Sequence, residues 1–370
     1  MKKKIHVVHV IEPMEHGVFI WVVDMANRLV EDGYRVTVLH SIRKLTPKNW
    51  RQMFDPRVEL IHVQMSRSID PVTDIKALIA LTRNIKNLNP DIIHTHSSKG
   101  GFLARAAGFI LRKNKHLLYT SHAIHYPLIQ QPIKRRLYKY FEHIGYWLGG
   151  TIVACGKEEY EIIKKDITFG SGKRLIRISN GIDTKQLTAK DYSKPNKKVR
   201  VGVVGRISLQ KAPWVFSDIA DKVNKKRDDV EFIWIGGGEE DDVDMLNLAG
   251  VEVTGMLDRS DALKLVPTLD IYFQTSAYEG LSLALLEAQA SGIPAVVTKI
   301  PGNDEVVQHG ETGYVGASES ELMRFLEELI DSKDKRESMG KLAKTHTEEH
   351  FSLTAMADQY KAEYQKIVDA

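Results

Sequence analysis

Along the first half of the chain, short runs of β-branched residues alternate with longer stretches whose apolar residues return every three or four positions. The short runs predict strands at residues 5–11, 35–39, 58–63, 91–95, 116–120 and 151–154. The longer ones predict helices over about 18–31, 75–87, 101–111 and 132–148. Such alternation folds as a parallel sheet covered by helices on both faces, with binding sites at the carboxyl ends of the strands. A turn signal at Ser179, Asn180, Gly181, Ile182 and Asp183 interrupts the pattern, followed by a lysine-rich polar stretch over 189–198 that contains Pro195. The pattern then restarts, with strands predicted at 200–204, 230–235, 251–254, 270–275 and 295–298 and helices at 213–225, after Gly280, and through the tail from about 318. A last amphipathic segment covers about 353–367. At 370 residues the chain exceeds the usual size of a single core. The fold class is therefore α/β: two Rossmann-like doubly wound domains facing each other across a cleft. They are bounded as 1–183, a linker at 184–198, and 199–370, with the last helix able to pack back on the first domain.

One stretch is hard to explain by packing alone. Tyr278, Glu279, Gly280, Leu281 and Ser282 lead into an apolar run that ends at Glu287, so two carboxylates stand eight residues apart around a predicted strand-to-helix junction. With a helix starting near Gly280, Glu279 sits at its mouth and Glu287 about two turns further in. The amides of Gly280, Leu281 and Ser282 then face an anion, favoured by the positive end of the helix dipole. A ligand that is anionic in the middle and rich in hydroxyls at both ends fits this arrangement, and a nucleotide sugar is such a ligand.

Composition narrows the classes. With 43% hydrophobic and 27% charged residues the chain reads as an ordinary globular protein without low-complexity tracts. Cys155 is its only cysteine, which rules out an intrachain disulfide and a cysteine metal site and suits a reducing cytoplasm. Lys2, Lys3 and Lys4 precede an apolar run that is short, contains His6 and His9, and meets Glu12 and Pro13; this is a first strand, not a signal peptide. No window approaches the roughly 18 apolar residues of a membrane span, so the expected location is cytoplasmic, soluble or peripheral on the inner face of the membrane. The net charge of +4 hides an asymmetry: residues 1–180 carry 29 Lys and Arg against 15 Asp and Glu, and the remainder carries 23 against 33. A basic half points to an anionic partner. Nucleic acid is disfavoured because no recognition motif is present. NAD-dependent oxidoreduction is disfavoured because only Gly17 of a Gly-x-Gly-x-x-Gly pattern follows the first strand.

Read together, these residues resemble the retaining glycosyltransferases of family 4, of GT-B architecture, and in particular bacterial enzymes of cell-surface polysaccharide assembly. The resemblance spans nearly the whole chain. It rests on the Glu279 to Glu287 pair, Val203-Val204-Gly205-Arg206 with Lys211, Asn180-Gly181-Ile182-Asp183, Glu15-His16-Gly17, Tyr119-Thr120-Ser121-His122, and the segment 302–313. Two departures stand out: Gly17 is followed by Val18 where many relatives have a second glycine, and His122 by Ala123 where they have glycine.

The resemblance implies an acceptor-binding first domain and a donor-binding second one. It assigns Glu279 to the transferred sugar and Glu287 to the donor ribose, whose hydroxyls a carboxylate can accept in bidentate fashion. The bland alternatives are a helix cap and a carboxylate facing a lysine. Arg206 and Lys211 would meet the diphosphate, with Gly17, Gly280, Leu281 and Ser282 near it and Met256 and Leu257 beside the base. No cofactor and no metal is expected, the cations serving instead. His122 would contact the sugar, unless it is a satisfied loop histidine; His94 reads as a packed core residue; His96, Ser97 and Lys99 are candidate acceptor contacts. The expected partners are a nucleotide sugar, most simply a UDP-sugar, and a glycan or polyprenyl-diphosphate-linked acceptor. Alternatives of the same architecture are a sugar-nucleotide epimerase and a nucleotide-sugar binding protein without catalysis. The predicted helix at 132–148 sets Ile133, Leu137, Phe141, Ile144 and Leu148 on one stripe beside Lys134, Arg135, Arg136 and Lys139. This is either a core helix with a solvated basic face or an interfacial helix for anionic lipid.

Overall fold

The computed structural model describes residues 4–369 apart from 67, 69, 123, 125, 127, 128, 130 and 195, so Lys2, Lys3, Ala123 and Pro195 lie outside the described residues. The chain divides into two compact units, one of Met1–Asn180 with Leu353–Ala370 and one of Gly181–Ser352.

The first unit is a seven-stranded sheet with β1 (His6–Ile11), β2 (Arg35–His40), β3 (Glu59–His62), β4 (Ile92–His96), β5 (Leu117–Thr120), β6 (Thr151–Ala154) and β7 (Leu175–Arg177). Its order is β3-β2-β1-β4-β5-β6-β7 and every pairing is parallel. The connecting helices are α1 (His16–Glu31), α2 (Pro71–Leu88), α3 (Ser98–Ile110), α4 (Pro132–Leu148) and α5 (Lys157–Asp166). Strand periodicity of two sends Val7, His9 and Ile11 to one face and Val8 and Val10 to the other, and the two faces belong to different hydrophobic clusters. The strand order reverses between β1 and β4, the crevice at which open α/β sheets bind ligands.

The second unit repeats the plan with β8 (Val199–Val204), β9 (Val230–Ile235), β10 (Val251–Val253), β11 (Ile271–Gln274), β12 (Ala295–Thr298) and β13 (Gly313–Gly316), in the order β10-β9-β8-β11-β12-β13. Its helices are α6 (Pro213–Asn224), α7 (Glu240–Leu248), α8 (Arg259–Leu265), α9 (Leu283–Ala290), α10 (Asn303–Val306), α11 (Glu319–Asp331) and α12 (Lys333–His350). The reversal here lies between β8 and β11. A final helix, α13 (Leu353–Asp369), returns to the first unit, where Met356, Tyr360 and Tyr364 are fully buried.

The units differ from the expected bounds at two places. Residues 184–198, expected as a linker, fall within the second unit. Lys190 is ion-paired to Asp270 at 3.0 Å, and the Tyr192 hydroxyl donates to the carbonyl of Gly292 at 2.8 Å. The 353–369 helix, bounded with the second domain but expected to be able to pack back on the first, has its apolar stripe in the first unit's core. Elements absent from the sequence expectation are short or mostly polar: β7 has three residues, and α7 buries only Leu246.

Candidate active site

In the second unit, the carboxyl ends of β8 and β11 bring Lys211 and Glu279 together. Lys211 Nζ donates to Glu279 Oε1 at 2.7 Å and to Gln274 Oε1 at 3.0 Å. Ser276 Oγ donates to the same carboxylate oxygen at 2.8 Å, and Gln210 Nε2 donates to Oε2 at 3.1 Å. Glu279 is thus held from three sides, which is how a carboxylate keeps one orientation while a substrate exchanges. Beneath it, Gln274 Nε2 donates to Asn303 Oδ1 at 2.8 Å, and Asn303 Nδ2 donates to the carbonyl of Thr298 at 3.0 Å, both side chains being fully buried. The loop before α9 is fixed by close backbone packing. Gly302 sits at φ 84°, and a Cβ there would lie 2.1 Å from the carbonyl oxygen of Gly280.

Helix α9 begins at Leu283, not at Gly280 as expected. Ser282 is its N-cap and accepts from the amide of Leu285, so Gly280, Leu281 and Ser282 form the loop ahead of the helix and Glu287 lies one turn in, not two. The helix's own open amides are those of Leu283 and Ala284. The extended Ser282 cap sets the first turn at Leu283, and Gly280, which favours coil over helix by about 1 kcal/mol relative to alanine, gives no support to an earlier one. Glu287 is buried, and Arg259 at the start of α8 donates to its Oε1 at 2.7 Å. Burial pushes the Glu287 carboxyl above its ordinary range, and the Arg259 guanidinium opposes that.

Arg206 follows β8 and stands 3.7 Å from Glu239, more than a third exposed and outside the Lys211–Glu279 group. Gly236, at φ 146°, lets the turn after β9 press on Gly205, whose carbonyl oxygen a Cβ would meet at 2.1 Å. Met256 and Leu257 are exposed in the loop after β10, with the Met256 amide against Gly237.

In the first unit, the carboxyl ends of β1, β4 and β5 gather imidazoles. His9 Nδ1 and His96 Nε2 are 3.0 Å apart, and His96 Nδ1 and His122 Nε2 are 2.9 Å apart. His94 Nδ1 is 2.6 Å from the Tyr364 hydroxyl and its Nε2 is 2.8 Å from Thr120 Oγ1, which makes it the packed core histidine expected. His9, His94 and His96 offer nitrogens within 4.8 Å of one another, the arrangement of a metal triad. Both nitrogens of His94 and of His96 are already spent on hydrogen bonds, so the donor set is not free to converge on an ion. Burial lowers His122 to about 3, which keeps it neutral.

The proposed acceptor contacts separate here. His96 is fully buried with both nitrogens engaged, so it cannot touch an acceptor; the sequence did not show that β4 carries it beneath His122. Lys99 is paired with Asp74 at 2.6 Å and also donates to Ser66 Oγ and to the carbonyl of Ser68. Ser97 precedes α3 at φ 64°, with its Oγ buried and without a partner among the described residues. Gly17 lies in the first turn of α1.

Two family models match the chain in succession: that of Glycosyltransferase Family 4 over residues 16–186, and that of glycosyl transferases group 1 over residues 184–346. The chain is a family 4 glycosyltransferase. Among named relatives, this glycosyltransferase is 26% identical over 321 residues to UDP-Gal:alpha-D-GlcNAc-diphosphoundecaprenol alpha-1,3-galactosyltransferase of Escherichia coli, with 81% of each chain covered. It is 23% identical over 329 residues to the capsular polysaccharide biosynthesis glycosyltransferase CapM of Staphylococcus aureus, covering 83% of this chain and 85% of that one. Among solved structures it resembles sucrose-phosphate synthase from Thermosynechococcus elongatus, with a TM-score of 0.82 at 16% identity over 98% and 99% of the two chains. It also resembles Anabaena HepE in complex with UDP and glucose, with a TM-score of 0.78 at 18% identity over 98% and 100%. The two Rossmann-like units are those of the GT-B fold.

Sequence reasoning missed Gln210, Arg259, Gln274, Ser276 and Asn303 in the glycosyltransferase. Gln274 had left a trace, as a polar residue closing the buried strand Ile271–Gln274. The others sit in loops or at helix starts and acquire their roles only through contacts up to 69 residues apart, as between Gln210 and Glu279.

Proposed function

We propose that the protein retains configuration while moving a hexosyl or N-acetylhexosaminyl group from a UDP-sugar to a glycan or polyprenyl-diphosphate-linked acceptor in cell-surface polysaccharide assembly. The observation that carries this reading is Glu279, fixed by Lys211, Gln210 and Ser276 ahead of α9 while Glu287 lies buried one turn into the helix. The E. coli relative's name pairs a UDP-sugar with a diphosphoundecaprenol acceptor, and that supports both ends of the reaction. In the step proposed, the bond from the anomeric carbon to the diphosphate breaks with its electron pair going to UDP. A bond from the same carbon to the acceptor oxygen forms on the same face, and the acceptor's proton passes to the departing phosphate. Glu279 orients the sugar and stabilises positive charge at the anomeric carbon. An ammonium has three N–H groups and Lys211 uses two, leaving one for a phosphate oxygen. Arg206 and the amides ahead of α9 add to it, so no metal is assigned a role and a chelator should leave the rate unchanged. Glu287 takes the ribose, Met256 and Leu257 border the base, and His122 hydrogen-bonds the transferred sugar.

The first half of α4 supports attachment to an anionic membrane surface. Ile133 is 84% exposed, Leu137 and Tyr140 are exposed too, and Lys134, Arg135 and Arg136 surround them. Among the described residues, no helix is long and apolar enough to cross a membrane.

The test is a screen of nucleotide sugars for stabilisation, followed by transfer of labelled sugar to lipid-linked acceptors. Label in the product with the anomeric configuration of the donor is expected. Epimerised donor without acceptor would select the epimerase reading, and binding without any turnover the non-catalytic one. Co-sedimentation with anionic but not neutral vesicles at low salt tests the surface role of α4.

A further inference from the structure

Three imidazoles joined in series behave as one unit. Strand β4 alternates so that His94 and His96 share a face, and the parallel register sets His9 of β1 beside His94 and Ile11 beside His96. His122 follows β5, whose Thr120 is in register with His96. The rings therefore run from the core outward: His9 fully buried, then His96 fully buried, then His122 partly exposed. Trp21 packs against the outer two, its ring 5.0 Å from that of His96 and 5.1 Å from that of His122. His122 itself holds a left-handed backbone at φ 58°, which a non-glycine residue keeps only when its surroundings fix it.

A neutral imidazole has one N–H and one lone pair. Burial lowers His9 and His122 to about 3 and holds His96 well below its ordinary value, so all three are neutral at pH 7. With one proton each, the two hydrogen bonds can run only outward, from His9 to His96 to His122, or only inward. The two directions differ at the buried end. Among the described residues His9 Nε2 is buried without a partner, and the rings beside His9 are those of His94, His96 and Trp21. Inward bonds would put an N–H on that nitrogen with nothing to accept it, a penalty that folded proteins rarely tolerate. Outward bonds leave it a bare lone pair and make every ring the Nδ1–H tautomer.

We propose that His9 and His96 are positioning residues whose hydrogen-bonded series fixes His122 as the Nδ1–H tautomer, so that the free edge of its ring presents a proton and not a lone pair. His122 has no other hydrogen bond among the described residues, so that proton is available to an oxygen acceptor. His122 then acts as a hydrogen-bond donor to a sugar oxygen and is excluded as a general base at that nitrogen. The last step rests on the assignment of His122 to the transferred sugar, whereas the tautomer series does not.

The test uses the full chain labelled with ¹⁵N-histidine and long-range ¹H–¹⁵N imidazole spectra at pH 7.5, assigned through single-histidine variants. Protonated Nδ1 and bare Nε2 at His9, His96 and His122 are expected. Protonated Nε2 at His122 in the wild-type chain overturns the proposal. In His96→Leu the N–H that His122 Nε2 accepts is lost, and His122 should shift to the Nε2–H form or to a mixture. In His96→Asn an amide N–H replaces Nδ1–H while the amide oxygen accepts from His9, and the wild-type pattern should return. An unchanged His122 tautomer in folded His96→Leu also overturns the proposal. If that variant does not fold, the wild-type and His96→Asn spectra decide alone. Donor KM should rise about tenfold in His96→Leu and recover in His96→Asn, as for one lost hydrogen bond. If His122→Ala leaves donor KM unchanged while the wild-type tautomers are as stated, the series stands and the sugar contact falls.

Discussion

At the scale of single residues, the two glutamates are held by different kinds of partner, and this separates what their substitution should do. Glu279 accepts from Lys211, Ser276 and Gln210. Glu279→Gln keeps the size but removes the charge that the proposed mechanism sets opposite the anomeric carbon; turnover should fall about 10²–10³-fold with little change in UDP affinity. Wild-type turnover in that variant would remove Glu279 from the chemistry. Glu287 is a buried carboxylate with Arg259 as its cation. Taking away one partner of a buried pair costs about 3–5 kcal/mol when the remaining charge is kept. The remaining group escapes part of that cost by binding a proton, and burial already pushes Glu287 in that direction. If Glu287 takes the ribose as proposed, nucleotide affinity in Arg259→Ala should therefore weaken as pH falls from 8 to 6, because protonated Glu287 offers one acceptor fewer. Titration calorimetry with UDP across that range checks it. A flat profile parallel to the wild type would show that Glu287 stays ionised without Arg259, or does not meet the ribose.

At the scale of elements, the strands were the readable part, because a buried parallel strand is a run of β-branched residues whatever its neighbours are. Every strand of four or more residues had an expected counterpart in the sequence except β13, whose Gly-Tyr-Val-Gly holds only one β-branched residue. The helix starts were less readable. The start of α9 depends on Ser282 capping the amide of Leu285, and glycine alone does not announce where coil ends. The polar network was not readable at all, since Gln274 meets Asn303 only after β11 and α10 are placed side by side. The histidine series shares that origin: His9 and His96 are 87 residues apart and meet by strand register. Where two loops press together, the consequence of one atom can be argued. Gly302→Ala would set a methyl group against the Gly280 carbonyl at a left-handed φ, so the loop that carries Glu279 must move. A loss of roughly 2–4 kcal/mol of stability is expected, with donor KM rising more than in a cavity mutant of equal stability. An unchanged melting temperature would show that the loop yields freely.

At the scale of the whole molecule, the chain places its buried histidines unevenly, and the two units should answer acid differently. In the first unit burial lowers His6, His9, His40, His94, His96 and His122, with His9 and His122 at about 3 and His40 at about 4. Helix α13 contributes by closing over this face, Tyr364 meeting His94 and Tyr360 meeting Thr120. A histidine that is neutral when folded and titrates near 6.5 when unfolded gives the unfolded chain the larger proton uptake. Its contribution is complete above about pH 6.5 and is lost as pH falls toward the folded value. For His9 and His122 that amounts to about 2 kcal/mol each by pH 5. In the second unit only His346 among the described residues is shifted in this direction, and the raised Glu287 carboxyl works the other way, since its folded form takes up a proton more readily. Calorimetry from pH 7.5 to pH 5 should therefore show the first unit's transition moving to lower temperature and separating from that of the second. Fluorescence of Trp21 in the first unit and Trp234 in the second, read in single-tryptophan variants, assigns the two transitions. Two transitions moving together with pH would mean that the buried imidazoles are paid for elsewhere, with charges in the unfolded chain setting the acid limit. A first unit unmoved down to pH 5 would show that its histidines take up protons while still folded.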